Sequence, residues 1–280
     1  MAMREGSQEW PGGAEPHVRI SHMSVPYDPE LYDIAMPQSF GGDVDWYRSK
    51  ARAADGPVLE LGAGTGRVTI PIAQDGGSVW ALDANARMLA TLRHKAAALP
   101  NDVQKRITIV EGDMRTFALE TRFALVISPF RAFLHNLTHE DQLACVRRVY
   151  DHLRPGGRFA FNIFHPSLEY MARSAGPLAG VWRVVATHPL PDAGWLVRSE
   201  ANHYDTVQRR VRSLHRYEQY GADGDLTRTF LQRLELAYLY PADVRTLLQE
   251  AGFSSVEIHG DFRGRPLEHD MDEQVIEARR

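Results

Sequence analysis

From Pro57 to Phe164 the sequence switches repeatedly between short apolar runs and helix-forming stretches, and this alternation constrains the fold more than any other feature. PVLELGA, SVWALDA, RITIVEGDM, RFALVISPF and RFAFNIF read as five strands. RVTIPIAQDGG, NARMLATLRHKAAAL and THEDQLACVRRVYDHLRPGG fill three of the gaps as helices. Pro71 fits its helix only in the first turn. Met88, Leu89, Leu92, Ala96 and Leu99 share one face of the second helix. Thr138 with Asp141 three residues on resembles a capping box for the third, whose stripe is Leu143, Val146, Val149, Tyr150 and Leu153, and Pro155-Gly156-Gly157 breaks it. Strands alternating with helices imply a parallel sheet with right-handed crossovers, an α/β fold.

The rhythm stops after Pro166. WLVRSEANHYD, TVQRRVRSLHRYEQY and LTRTFLQRLELAYLY have strand composition and turn signals between them, so an antiparallel meander is expected here. A helix from Pro241 to Glu250 then resumes the first pattern, and SSVEIHGDF and DEQVIEARR close the chain as strands. The resulting division is a loose arm over 1–26, a core over 27–166, an inserted subdomain over 167–236 and a C-terminal completion of the core over 237–280. Within the core, Asp43 to Ala54 is a further helix, started at Gly42-Asp43.

Composition excludes several classes. A net charge of −4 argues against a protein that holds nucleic acid through its overall field. The one cysteine, Cys145, rules out an intrachain disulfide and a multi-cysteine metal site, and no ligand spacing suggests a metal. No run approaches the roughly 18 apolar residues of a membrane-spanning helix, and no apolar signal-peptide core stands near the start. A cytoplasmic protein is the expectation, with homo-oligomerisation compatible with it.

The chemistry gathers at the strand ends. LELGAGTGR sets Gly62, Gly64 and Gly66 between a strand and a helix, where missing Cβ atoms admit a ligand to the backbone and a helix start offers N–H groups. A dinucleotide fingerprint spaces its glycines G-x-G-x-x-G, whereas here the third arrives one place early. Asp83, ending the second strand, can accept two ribose hydroxyls or simply cap the next helix. Asp113 and Met114 end the third, where a carboxylate can accept from an adenine amino group while a thioether packs on the ring. The plain reading of that GDM is a turn.

Taken in order, VLELGAGTGR, ALDANARML, EGDMRTF, FALVISPF and HLRPGGRFAFNIF strongly resemble the class I S-adenosylmethionine-dependent methyltransferases over residues 57–165, and the ending from Tyr240 fits as well. The resemblance implies a Rossmann-like seven-stranded sheet in order 3-2-1-4-5-7-6, mostly parallel, with DEQVIEARR as the antiparallel seventh strand. It implies S-adenosylmethionine as cofactor. Glu60, Gly62, Ala63, Gly64 and Gly66 would line the methionine moiety, Asp83 the ribose, Ala84 and Met88 the adenosine, and Asp113 with Met114 the adenine. Ser128 and Pro129 would lie beside the sulfonium. Arg67 is not a residue of the family's glycine loop; it either pairs with the cofactor carboxylate or sits exposed in the first turn.

The acceptor is read less directly. SPFRAFLHNL follows the fourth strand and should border the reacting methyl, which makes His135 the catalytic candidate and Phe130 and Phe133 substrate contacts, against the alternatives of capping and core packing. Tyr27 and Tyr32 precede the first core helix, a segment that in the resembled family commonly folds over the cofactor, so either phenol contacts the methionine end or the acceptor, or else the segment only packs as an N-terminal arm. His165, just past the fifth strand, faces the same rim and either contacts the substrate or is a structural histidine. Trp182, Trp195 and Tyr204 of the meander are candidates for an apolar pocket, and QRRVRSLHR is a basic strand that either meets an anionic acceptor or forms a solvated face. The layout resembles methyltransferases acting on amino sugars and amino acids, and SPF stands where nucleobase-modifying relatives carry [DN]PP[YF]. The expectation is transfer to a small molecule, nitrogen ahead of oxygen. A nicotinamide-dependent oxidoreductase and a non-catalytic S-adenosylmethionine-binding protein are the alternatives.

Overall fold

A computed structural model describes residues 28–36, 39–174 and 180–280. The expected arm and Tyr27 lie outside the described residues. Helix α1 (Pro29–Ala35) begins where the Asp28 carboxylate accepts from the N–H groups of Glu30 and Leu31, with proline in the first turn. The sequence showed no period here because seven residues, about two turns, are too short to display one. What holds α1 is tertiary: Leu31 and Ala35, one turn apart, pack on Leu196 and Tyr217 of the inserted sheet.

The central sheet is built from β1 (Val58–Leu61), β2 (Val79–Asp83), β3 (Ile107–Glu111), β4 (Phe123–Ser128), β5 (Leu153–Phe164), β10 (Ser255–His259) and β11 (Glu273–Arg279), in the order β10-β11-β5-β4-β1-β2-β3. Counting only these strands, the order is 3-2-1-4-5-7-6, as the resemblance implied. β1 to β5 run parallel, and β11 is antiparallel to both of its neighbours. Helices cover both faces, which is why β1 is buried at every position. On one side α2 (Asp43–Arg52) and α3 (Thr69–Gln74) bury Val44, Tyr47, Val68 and Ile72 against the sheet. On the other, α6 (His139–His152) and α8 (Pro241–Glu250) bury Val146, Val149, Leu247 and Leu248 against Phe159 and Phe161. Helix α4 (Ala86–Ala97), capped by Asn85, and the single turn α5 (Asn101–Gln104) complete the crossover to β3. Four of the five residues read as its apolar face are buried, and Leu99, beyond the helix end, is half-buried.

Three details differ from the sequence reading. α6 does stop at His152, but Pro155-Gly156-Gly157 lies inside β5, which already pairs at Leu153 with Phe123 across an irregularity in register. A short helix, α7 (Leu168–Ala172), follows β5. The inserted sheet has four strands rather than three: β6 (Arg183–Pro189), β7 (Trp195–Asp205), β8 (Arg210–Tyr220) and β9 (Leu226–Ala237), hydrogen-bonded in chain order. β6 is an edge strand with no buried position, so it never had the alternation by which strands are recognised.

Candidate active site

The carboxyl ends of β1, β2, β3 and β4 open on one cleft of about 580 Å³. In an open parallel sheet this is where a ligand crevice forms. Tyr32, Glu60, Gly62, Ala63, Gly64, Arg67, Asp83, Ala84, Met88, Asp113, Met114, Pro129, Phe130 and His135 line it. They come from α1 and from four successive strand ends, and each was singled out from the sequence. Asn85, Arg87, Gly112, Arg115, Ala132 and Asn136 also line the cleft and were not.

Four sequence candidates lie elsewhere. Gly66 takes φ +88, and a Cβ there would stand 2.3 Å from the Leu92 methyl, so this glycine serves the packing of the turn on α4 rather than the cleft. Ser128 is fully buried at the end of β4 and does not line the cleft. Phe133 is a core residue, fully buried against Phe159 and Phe161, because the 3₁₀ turn Ala132–His135 points it down onto β5. His165 packs edge-on against Tyr240, 6.1 Å between ring centroids, and is not part of the cleft wall. In the meander, Trp182 and Trp195 are 36% and 49% exposed, so neither forms an enclosed apolar pocket; Trp182 lies under the Arg216 guanidinium.

The glycine turn is fixed from the second strand. Asp83 accepts from the Gly64 N–H at 2.8 Å with one oxygen and from the Asn85 N–H at 2.7 Å with the other. Burial raises its pKa while these backbone donors hold it down. Each oxygen keeps lone-pair capacity toward the cleft. Asp113 is gripped by Arg115, which also reaches Asp141 at 2.8 Å, and this pairing lowers the Asp113 pKa. The Asn136 amide donates to the Met114 sulfur at 3.3 Å, aligning the thioether on the same wall.

The other end of the cleft is highly charged for its burial. Glu60 is 2% exposed, and burial pushes its carboxyl up to about 8 although Thr69 donates to it and Arg67 stands near. Arg67 is not exposed, which excludes that alternative. Its guanidinium makes a bidentate pair with the fully buried Asp43, at 2.6 and 3.1 Å, and lies 4.8 Å from the Phe130 ring centroid. Tyr32 meets Phe130 edge-on, and its burial raises the phenol pKa. Helix α1 is tied down over the turn: Asp33 accepts from Thr65 at 2.7 Å and pairs with Lys95 at 2.7 Å, while Asp28 pairs with Arg87 at 3.0 Å.

At the lip, Phe130 and Arg131 both take positive φ, +51 and +67, a rare conformation for two successive side-chain-bearing residues. The strain is held by polar bonds. Asn162 Oδ1 accepts from the Phe130 N–H at 2.9 Å and from the Tyr47 hydroxyl at 2.8 Å, and its amide donates to Glu273 at 2.7 Å. Arg131 completes the brace by a bidentate pair with Glu273 at 3.0 and 2.6 Å. Arg131 escaped sequence reasoning because its partner is 142 residues away. His135 follows, and burial lowers its pKa to about 4, so the imidazole is neutral across the physiological range.

Sheet order, reversed last strand and glycine turn together define an α/β protein with the class I S-adenosylmethionine-dependent methyltransferase fold. Comparison with known proteins agrees. Residues 58–157 match the family model described as a methyltransferase domain. A cypemycin N-terminal methyltransferase of Streptomyces sp is 29% identical over 85% of this chain and 89% of its own length. The structure of the CcbJ methyltransferase from Streptomyces caelestis superposes with a TM-score of 0.72, at 28% identity, over 90% of this chain and 99% of that one. The glycopeptide N-methyltransferase MtfA complexed with S-adenosyl-L-methionine matches with a TM-score of 0.54 at 26% identity, over 84% of this chain and 86% of that one.

The chain is an S-adenosylmethionine-dependent methyltransferase, and S-adenosylmethionine is its cofactor. The nicotinamide alternative gives way to these findings. Among the described residues no helix is long and apolar enough to cross a membrane, and no group of three or more His, Cys, Asp or Glu is placed to hold a metal ion.

Proposed function

We propose that this enzyme methylates a small-molecule acceptor at nitrogen. When bound, S-adenosylmethionine supplies a methyl group already activated on sulfonium, so the protein's work is to place the acceptor in line and exclude water. In this reading Glu60, the turn Gly62-Ala63-Gly64 and Arg67 hold the amino-acid end. Asp83 takes the ribose hydroxyls, Ala84 and Met88 border the adenosine, and Asp113 with Met114 holds the adenine. Pro129, Phe130 and Tyr32 wall the methyl end. The orientation follows from charge: Glu60 and Arg67 suit an ammonium and a carboxylate, and Asp83 retains acceptor capacity for hydroxyls.

One observation carries the preference for nitrogen. The side chain on the loop after β4 that lines the cleft and could serve as a base is His135, and a pKa of about 4 makes it too weak a base to deprotonate an alcohol. An amine needs much less. It attacks through its own lone pair once neutral, and a neutral imidazole can orient it by accepting an N–H. Two of the relatives are named for an N terminus and for N-methylation, which supports the same choice.

The test is turnover with cofactor carrying a carbon-13 methyl, offered matched amines and alcohols, with the methyl's chemical shift reporting the atom to which it is bound. O-methyl products alone overturn the nitrogen assignment. A protein that binds S-adenosylhomocysteine but turns over none of the panel overturns the proposal in favour of the binding-only alternative.

A further inference from the structure

The backbone alone does not place Arg67. It stands between the glycine turn and α3, where a long side chain has many rotamers and loses entropy when it is held in one. In the structure it is held. The Arg67 side chain is 8% exposed, and the fully buried Asp43 carboxylate meets it as a fork. Helices α2 and α3 pack on the same face of the sheet through Val44, Val68 and Ile72, which brings together two charges that are 24 residues apart in the chain.

The carboxylate is itself fixed from elsewhere. Its Oδ1 accepts from the Phe40 and Val44 N–H groups, both at 2.7 Å, and from the Ser39 hydroxyl at 3.4 Å. Those donors belong to the chain around the start of α2, so the direction of the Asp43 side chain does not depend on Arg67. Among the described residues Oδ2 accepts from Arg67 Nη2 alone. Asp43 is no part of the cleft wall, whereas Arg67 is. The planar guanidinium therefore has one edge turned away from the cleft, onto Asp43. It also donates to the Tyr32 phenol and lies against the Phe130 ring, and both of those residues line the cleft. Because the ion pair carries no net charge, what Asp43 adds at the cleft is direction rather than attraction.

We propose that Asp43 is a positioning residue for recognition of the cofactor's carboxylate. It touches no part of the ligand. It sets the plane of Arg67, so that the guanidinium already faces the carboxylate when the cofactor arrives and loses little rotamer freedom on binding. The inference deepens the reading of Arg67 given above and rests on it.

Asp43→Asn separates direction from charge. The amide has the same shape, and its Oδ1 can keep the Phe40 and Val44 bonds. Its NH₂ then stands where Oδ2 was, donor against donor at Arg67 Nη2. The fork is lost while the start of α2 stays bonded. The guanidinium also loses its compensating charge, which alone would strengthen its pull on a carboxylate. Direction and charge thus act on affinity with opposite signs, and a positioning role means a loss.

The experiment is calorimetry with S-adenosylhomocysteine and with its decarboxylated analogue S-adenosyl-3-thiopropylamine, which keeps the ammonium and lacks only the carboxylate. Wild type should prefer S-adenosylhomocysteine by about tenfold or more, the worth of charged hydrogen bonds. In Asp43→Asn the preference should shrink to within about threefold, while the analogue binds within about twofold of wild type. An unchanged or enlarged preference overturns the proposal. So do equal losses for both ligands, which is what a role in the fold alone would give. Arg67→Lys keeps the cation without the fork and should shrink the preference in the same way. It carries the test even where Asp43→Asn does not fold, and a full preference there also overturns the proposal. Arg67→Met separates the two levels. A wild-type preference that is absent, or that survives in Arg67→Met, removes the reading of Arg67, whereas one lost in Arg67→Met and kept in Asp43→Asn removes only the role of Asp43.

Discussion

Glu60→Gln should make the ligand-free enzyme more stable and its cofactor binding weaker. Burial holds the Glu60 carboxyl at about 8 against an ordinary 4.5. The native state therefore binds more protons than the unfolded state between those values. The Glu60 contribution to stability is fully present below pH 4.5 and is lost as pH rises through 8. At about 1.36 kcal/mol per pH unit, the charge costs roughly 3 kcal/mol at pH 7 and up to about 5 kcal/mol above pH 8. Glutamine has the same shape, still accepts from Thr69 and does not ionise. Removing roughly 3 kcal/mol of that cost at pH 7 raises Tm by about 5 °C for a chain of this size. Binding moves the other way. If the carboxylate form holds the cofactor's ammonium, a carboxyl of about 8 requires S-adenosylhomocysteine affinity to fall about 20-fold from pH 7.5 to pH 6 in wild type. At still higher pH the ligand's own amine loses its proton and affinity falls again. Calorimetric titration and thermal melts at several pH values measure both effects. A Glu60→Gln protein that melts no higher at pH 8, or a wild-type affinity flat between pH 6 and 7.5, would refute the reasoning.

Other perturbations probe other walls of the cleft. His135→Ala should lower kcat about 10-fold, the worth of one orienting hydrogen bond, with S-adenosylhomocysteine affinity within a factor of two, measured by steady-state kinetics and calorimetry; unchanged turnover removes His135 from the reaction. Asp83→Asn should weaken S-adenosylhomocysteine binding by about 10- to 100-fold, since the hydroxyl bonds lose their charged acceptor, and 2′-deoxy and 3′-deoxy ligands should bind the variant and wild type with smaller differences. Asn162→Ala leaves the Phe130 N–H and the Tyr47 hydroxyl without their shared acceptor. A loss of about 2–4 kcal/mol in denaturant unfolding is expected, together with a lower kcat, and a variant as stable as wild type would show that the loop holds itself.

What the sequence revealed and what it hid divide along a physical line. Sheet order, the glycine turn, Asp83, Asp113 and Met114 were legible because each lies at a fixed offset from a strand, and the strands announce themselves by apolar runs. Tyr32 and Glu60 came with the family pattern. The errors fall where spacing along the chain does not decide direction. Phe133 and His135 are two residues apart on a tight 3₁₀ turn, and one goes to the core while the other lines the cleft. Gly66 was credited to a ligand although its missing Cβ makes room for Leu92. Trp182 and Trp195 were conspicuous by type, yet residue type does not say whether a side chain is covered.

The brace at the lip explains why the reversed last strand matters to the site. Two left-handed, non-glycine residues at Phe130 and Arg131 cost about 1–3 kcal/mol each if nothing opposes the strain. Opposition comes from Asn162 on β5 and Glu273 on β11. In the antiparallel register Glu273 stands opposite Phe164, which brings its carboxylate to both the Asn162 amide and the Arg131 guanidinium. Arg131 also lies over the Phe40 and Phe164 rings, at 5.1 and 5.5 Å. A purely parallel seventh strand would present a different residue at that end of the sheet. The strain aims Phe130 at Arg67 and Tyr32 across the cleft, and it sends Arg131 toward the inserted sheet, so one loop sets both the wall at the methyl end and the approach from the meander. Weakening Glu273 should therefore disturb kcat and acceptor KM together while the Asp83 end keeps its affinity for adenosine. Steady-state kinetics of Glu273→Gln beside adenosine titration would show that split, and equal losses at both ends would mean that the brace serves the whole fold rather than the lip.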